Sequence, residues 1–171
     1  MKRQKKALFY YARLAFSRQG RYISESMTIN LIKLAVGSES IETLHDWQSG
    51  RVFDYHGQSA LPVYTRHKPL RDKELLKDGS IYWVINRRIQ VRQKLLGFET
   101  DEDHEGRRFC LIIVDPQLVR TVAQPHRPFQ GWRYFDPAKA PADRGVFNPL
   151  QQDEAPPEEM EAELRAAGLI D

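Results

Sequence analysis

Eight residues from Arg127 to Tyr134 (Arg-Pro-Phe-Gln-Gly-Trp-Arg-Tyr) hold two arginines, one glutamine and three aromatic rings. These are the groups that hold a nucleic acid: guanidinium groups pair with phosphates, an amide reads a base edge, and aromatic faces stack on bases. Arg127, Gln130, Trp132, Arg133 and Tyr134 are therefore candidates for contact with RNA or a modified nucleobase. The competing reading is a structural loop folded over a barrel end, with Phe129 and Trp132 as plugs. Upstream, Thr65-Arg66-His67-Lys68-Pro69-Leu70-Arg71 places Arg66, Lys68 and Arg71 just ahead of a predicted helix, whose first N–H groups add to the attraction for phosphate. A solvated basic loop has the same composition. Arg87, Arg88, Arg92 and Lys94 charge a predicted hairpin. Positions 88, 92 and 94 share strand parity, which suits either a basic stripe or an ordinary outer sheet face. Tyr82 and Trp83 point to opposite faces of their strand, so one ring belongs to the core and the other, taken as Trp83, is available to a base. Each stacked base is worth about 1–3 kcal/mol.

Signals for catalysis are weaker. The chain has no P-loop, dinucleotide fingerprint, His-Glu-x-x-His or nucleophile elbow. His45, His56, His67, His104 and His126 lack the i, i+4 spacing that sets two ligands on one helical face, so neither metal nor cofactor is expected. Cys110 is the single cysteine, which excludes an internal disulfide; in an apolar strand it reads as an inert core thiol. A reducing, cytoplasmic location follows as the expectation. The enzyme alternative, acting on a nucleotide or small polar substrate, would use His67, Asp115 or His126 as acid or base. It requires two of them to meet in one pocket.

The elements that must position these groups fit one domain. With 171 residues, 41% of them hydrophobic, the chain can bury one ordinary core. No stretch approaches the roughly 18 apolar residues of a membrane span. Charge is unevenly spread: residues 1–26 hold seven Lys/Arg against one acid, 27–144 eighteen against fifteen, and 145–171 one against seven. The expected organisation is a basic extension (1–26), with Met27 as the usual start, one α+β domain (27–144), and an acidic, partly disordered tail (145–171) with an isolated helix over Pro157–Ala167. That tail could engage a basic protein partner, which makes a protein-interaction module a third reading.

Apolar patterning predicts strands at Thr28–Val36, mostly buried, Leu61–His67, Ser80–Ile85, Ile89–Phe98, Phe109–Val114, apolar on both faces and so central, and Leu118–Val122. A helix capped by Ser38 is expected to bury Ile41, Leu44 and Trp47 or Gln48, and a second runs from Pro69 to Lys77. Residues 51–61 and 100–106 read as loops, and Asn86-Arg87-Arg88 as a hairpin turn.

Thr-Ile-Asn-Leu-Ile-Lys-Leu-Ala-Val-Gly (28–37), Gly-Ser-Ile-Tyr-Trp-Val-Ile (79–85) with Arg92-Gln93, and the 127–134 motif resemble the bacterial family called domain of unknown function 1489, found mainly in alphaproteobacteria. The likeness spans about residues 27–144, and it implies no activity. The order of elements also resembles the EVE and ASCH branch of PUA-like domains, small β-barrels that bind RNA or modified bases. That pattern implies a mixed or antiparallel barrel-like sheet with two or three flanking helices. The leading expectation is a non-catalytic domain binding RNA or a modified nucleobase, with Arg66, Arg71, Arg92 and Arg127 as cationic contacts and Trp83, Gln130, Trp132 and Arg133 around a base.

Overall fold

Residues 28–150 and 167–168 are described in the computed structural model of the chain. The basic segment 1–26, Met27 and, apart from Ala167, the helix expected over Pro157–Ala167 lie outside the described residues. The elements are β1 (Asn30–Leu34), α1 (Ile41–Ser49), β2 (Phe53–Tyr55), β3 (Gln58–Thr65), α2 (Asp72–Asp78), β4 (Ser80–Ile85), β5 (Arg88–Glu102), β6 (Arg108–Val114), β7 (Val119–Pro125), β8 (Trp132–Phe135) and β9 (Asp143–Val146). A single 3-10 turn, Pro137–Lys139, precedes β9.

The long strand β5 organises the sheet. Its first half pairs with β4, its second half with β6, and β7 continues along the β6 edge, so two smaller sheets share one strand. One half runs β8-β1-β4-β5-β7-β9; the other runs β5-β6-β3-β2. A register shift between Leu95 and Gly97 falls where β5 passes from one half to the other, and such bulges bend a strand. Tyr55 packs onto Gly97, whose missing side chain leaves the space the ring needs. Only β1 and β4 run parallel; every other described pair is antiparallel. The fold is thus α+β with a mixed sheet and two helices, as expected, but the sheet does not close into a barrel. Its path ends at β2 and β8, which do not pair with each other.

The main core fills one face. Leu31, Leu44, Leu75, Ile81, Trp83, Val91 and Leu95 pack there with Leu61, Val63, Ile112 and Val114 of the other half-sheet. Both helices cover this face. Within the core Gln93, fully buried, donates to the Asp115 carbonyl (2.9 Å) and exchanges hydrogen bonds with Gln48 of α1 (3.0 and 3.1 Å). It also accepts from the Trp83 indole N–H (2.8 Å). This network fixes α1 on the sheet, because a buried amide without partners is costly.

On the opposite face Ile32, Tyr82, Val84, Ile89 and Phe135 form a second, smaller core, covered by Phe129 and Ala140. The β1–β4–β5 layer is therefore buried on both sides, which explains why Ser80–Ile85 is apolar throughout.

Several elements differ from the expectation. Ser40, not Ser38, caps α1, because Thr43 completes a capping box with it. Gln48 takes the buried position, while Trp47 is half-exposed under the Arg51 guanidinium. Residues 51–61 form the β2–β3 hairpin rather than a loop, turning at His56-Gly57, where both φ angles are positive. The domain also passes residue 144: β9 pairs with β7, and Phe147 is buried in the main core.

Candidate functional site

The 126–134 segment is anchored at the β4–β5 turn. Asn86 and Arg87 both adopt positive φ (45° and 63°), the geometry of a two-residue turn matched to strand twist. The turn presents the Arg87 carbonyl to the His126 N–H (2.8 Å). Phe129 then folds onto the smaller core, with the His126 ring 5.4 Å from it and the Arg133 guanidinium 4.5 Å from its centroid. Arg87, Arg127, Gln130 and Arg133 are exposed. Among the described residues no carboxylate pairs with Arg87, Arg127 or Arg133, so their charge is available to an outside anion.

Arg133 sits opposite Ile32, which in turn sits opposite Tyr82; residues paired in this way share a sheet face. Further along that face lies a cleft of about 410 Å³. Its floor is Asn30, Ser80, Tyr82 and Arg92, and Pro137, Ala140 and Pro141 form an apolar wall. Asp143 accepts two hydrogen bonds from Arg92, from Nε at 2.7 Å and Nη2 at 2.5 Å. The third edge of the guanidinium donates to Ser80 Oγ at 3.0 Å. The Arg92 bond holds the Asp143 carboxyl below its ordinary range. Burial raises the Tyr82 hydroxyl above its ordinary value, opposed by the Arg92 charge. Lys94 and Asp78 form a looser pair at 3.7 Å.

The other predicted site residues are dispersed. Trp83 is in the core and hydrogen-bonded to Gln93, so its ring is closed to a base. Trp132 is half-buried against the main core on the reverse face, donating to the His67 carbonyl at 2.8 Å. That is the plug role, and Phe129 plugs the opposite face. Arg71 is engaged by Glu74 (2.6 Å) and lies over Tyr134, whose hydroxyl accepts from the Arg71 N–H. Arg66 lies toward the β5–β6 turn: the Asp103 carboxyl is held low mainly by hydrogen bonds from Arg107, with Arg66 adding charge. Arg92 lines the cleft with three of its five N–H donors committed. Arg127, Gln130 and Arg133 stay together.

The acid–base candidates do not meet. Asp115 caps the Gln117 N–H beside the main core, His67 follows the far end of β3, and His126 is on the opposite face against Phe129. Among the described residues no three His, Cys, Asp or Glu side chains converge as a metal site would require. Burial pushes the Cys110 thiol up, away from a reactive thiolate. No helix among the described residues is long and apolar enough to cross a membrane.

Asn30 and Asp143 were not singled out from sequence. The Asp143–Arg92 contact joins residues 51 apart, and nothing local marks it. Arg87 and Phe129 were visible as charge and as a plug, but not as members of one cluster.

The geometry describes an open-sheet α+β protein with a basic and aromatic surface beside a polar cleft. Residues 31–170 match the family described as "Protein of unknown function (DUF1489)", and the chain belongs to that family. The match extends past residue 144 and takes in the acidic C-terminal segment. Neither the curated proteins nor the solved structures yield a match to the chain.

Proposed function

We propose that this protein binds RNA through the face carrying Arg87, Arg127, Gln130 and Arg133. The observation that carries the reading is three exposed arginines without a carboxylate partner among the described residues, of which Arg133 lies over the Phe129 ring, with Arg127 and Gln130 close to Phe129 in the chain. Phosphates attract the guanidinium groups, while the ring and amide suit bases that are unstacked, as in single-stranded RNA. Trp83 and Trp132 have structural roles, and Arg66 and Arg71 lie outside the interface.

The test is fluorescence anisotropy of a labelled single-stranded RNA with the purified protein at low salt, alongside the 260/280 nm absorbance of the protein as isolated. Binding that weakens about tenfold or more in Arg127→Ala/Arg133→Ala, with the thermal midpoint unchanged, upholds the reading. Wild-type protein that binds no RNA refutes it, as does equal binding by the double variant.

A further inference from the structure

We infer that the cleft beside Arg92 takes a single uncharged nucleobase, stacked on the Arg92 guanidinium plane and hydrogen-bonded at its edge by Asn30 and Tyr82. This inference rests on the RNA reading and adds to it a second, chemically different subsite.

Charge balance comes first. The cleft holds two cations and two carboxylates, and each cation has its own carboxylate: Arg92 with Asp143, Lys94 with Asp78. An anion entering here would have to displace a carboxylate already in place, so phosphate contacts belong to Arg127 and Arg133.

The committed donors of Arg92 point the same way. Nε and one Nη2 hydrogen go to Asp143 and one Nη1 hydrogen to Ser80, so three of the five N–H donors hold the guanidinium in a fixed orientation. What remains is a flat, weakly hydrated cation held in one orientation, and such a plane stacks on aromatic rings and bases. Its side chain keeps 25% of its surface exposed. Pro137 and Pro141 supply the apolar side that a stacked ring needs.

The third argument is unused hydrogen-bonding capacity. Asn30 is nearly buried and accepts from the Ser80 N–H through Oδ1 (2.9 Å), yet its Nδ2 group has no partner among the described residues. The Tyr82 hydroxyl, also nearly buried, has none either. Both residues line the cleft. Neither atom is sealed from solvent, since among the described residues Thr121 Oγ1 is the one buried side-chain polar atom without a partner, so both can meet a ligand or water that enters the cleft. Nδ2 offers donors and the hydroxyl can donate or accept, which matches the mixed edge of a nucleobase. The cleft's 410 Å³ is near the low end of ligand sites, roughly 300–1,000 Å³, so it suits one nucleoside.

The experiment uses the full chain and free adenosine, guanosine, cytidine and uridine, followed by calorimetry and by amide shifts in two-dimensional NMR. At least one nucleoside is expected to saturate with a Kd below about 1 mM, shifting the amides of Ser80, Tyr82 and Ala140. Its monophosphate should bind no more than about twofold tighter, because the cleft offers no free cation. Tyr82→Phe, which removes only the hydroxyl, should weaken the nucleoside roughly fivefold, and Arg92→Lys, which keeps the charge but loses the plane, should weaken it more. No saturation by any nucleoside, or binding of monophosphates alone, overturns the inference. If RNA binding still falls in Arg127→Ala/Arg133→Ala, the wider reading survives that failure. If nucleosides bind and the double variant binds RNA normally, the wider reading fails and the cleft stands.

Discussion

Removing Arg127 and Arg133 together should change how RNA binding responds to salt more distinctively than it changes affinity at one condition. Each neutralised phosphate on a single strand contributes about −0.7 to the slope of log K against log salt. Arg87, Arg127 and Arg133 are unpaired cations of the interface, so the wild-type slope should be close to −2.1. Between 50 and 200 mM salt that slope lowers affinity roughly twentyfold. With Arg87 alone the slope falls to about −0.7, and the same change in salt costs roughly threefold. The assay is anisotropy of a labelled single-stranded RNA titrated at four salt concentrations, with Arg66→Ala as control, since Arg66 lies toward Asp103 at the other end of β5. An unchanged slope in the double variant, or an equal loss in Arg66→Ala, would refute this placement of the interface.

Arg87→Gly should separate stability from binding. Glycine accepts the φ of 63° that costs arginine about 1 kcal/mol or more, so the variant should melt higher while RNA binding weakens. Gln93→Leu leaves the Trp83 N–H, the Asp115 carbonyl and the Gln48 amide without their partner, and should cost about 3 kcal/mol or more in urea unfolding. The double variant Gln48→Leu/Gln93→Leu should cost less than the sum of the two single changes; simple additivity would rule out a coupled network. Asp143 has a native pKa below its ordinary 3.8, so the unfolded chain takes up the proton first as pH falls. Its contribution is complete above that ordinary value and is lost as pH drops through the native one. Asp143→Asn should therefore be less stable at neutral pH and lose less stability on acidification, and parallel pH profiles for the two proteins would contradict this.

Strands written as dense apolar runs were legible. Ser80–Ile85, Phe109–Val114 and the hairpin at Asn86 follow from short apolar runs and turn chemistry, which act over a few residues. Phe53–Tyr55 escaped notice because only three residues pair there, across a His56-Gly57 turn that no apolar run announces. Phe147 escaped because a lone ring in a polar stretch carries no period, and only the pairing of β9 with β7 turns it inward.

The sequence by itself determined the α+β class, the family, the absence of an internal disulfide, and the composition of the 127–134 motif, since these depend on residue types and short spacing. Tertiary structure alone decided what each group in that motif does. Strand parity sends Arg133 and Trp132 to opposite faces, and the pairing of β8 with β1 puts Trp132 against the main core and Arg133 on the face of the smaller one. The same packing takes Trp83 out of reach and brings Asp143 onto Arg92 from 51 residues away. Charge and aromaticity are properties of a residue, but availability belongs to its neighbours, and those are chosen by the fold.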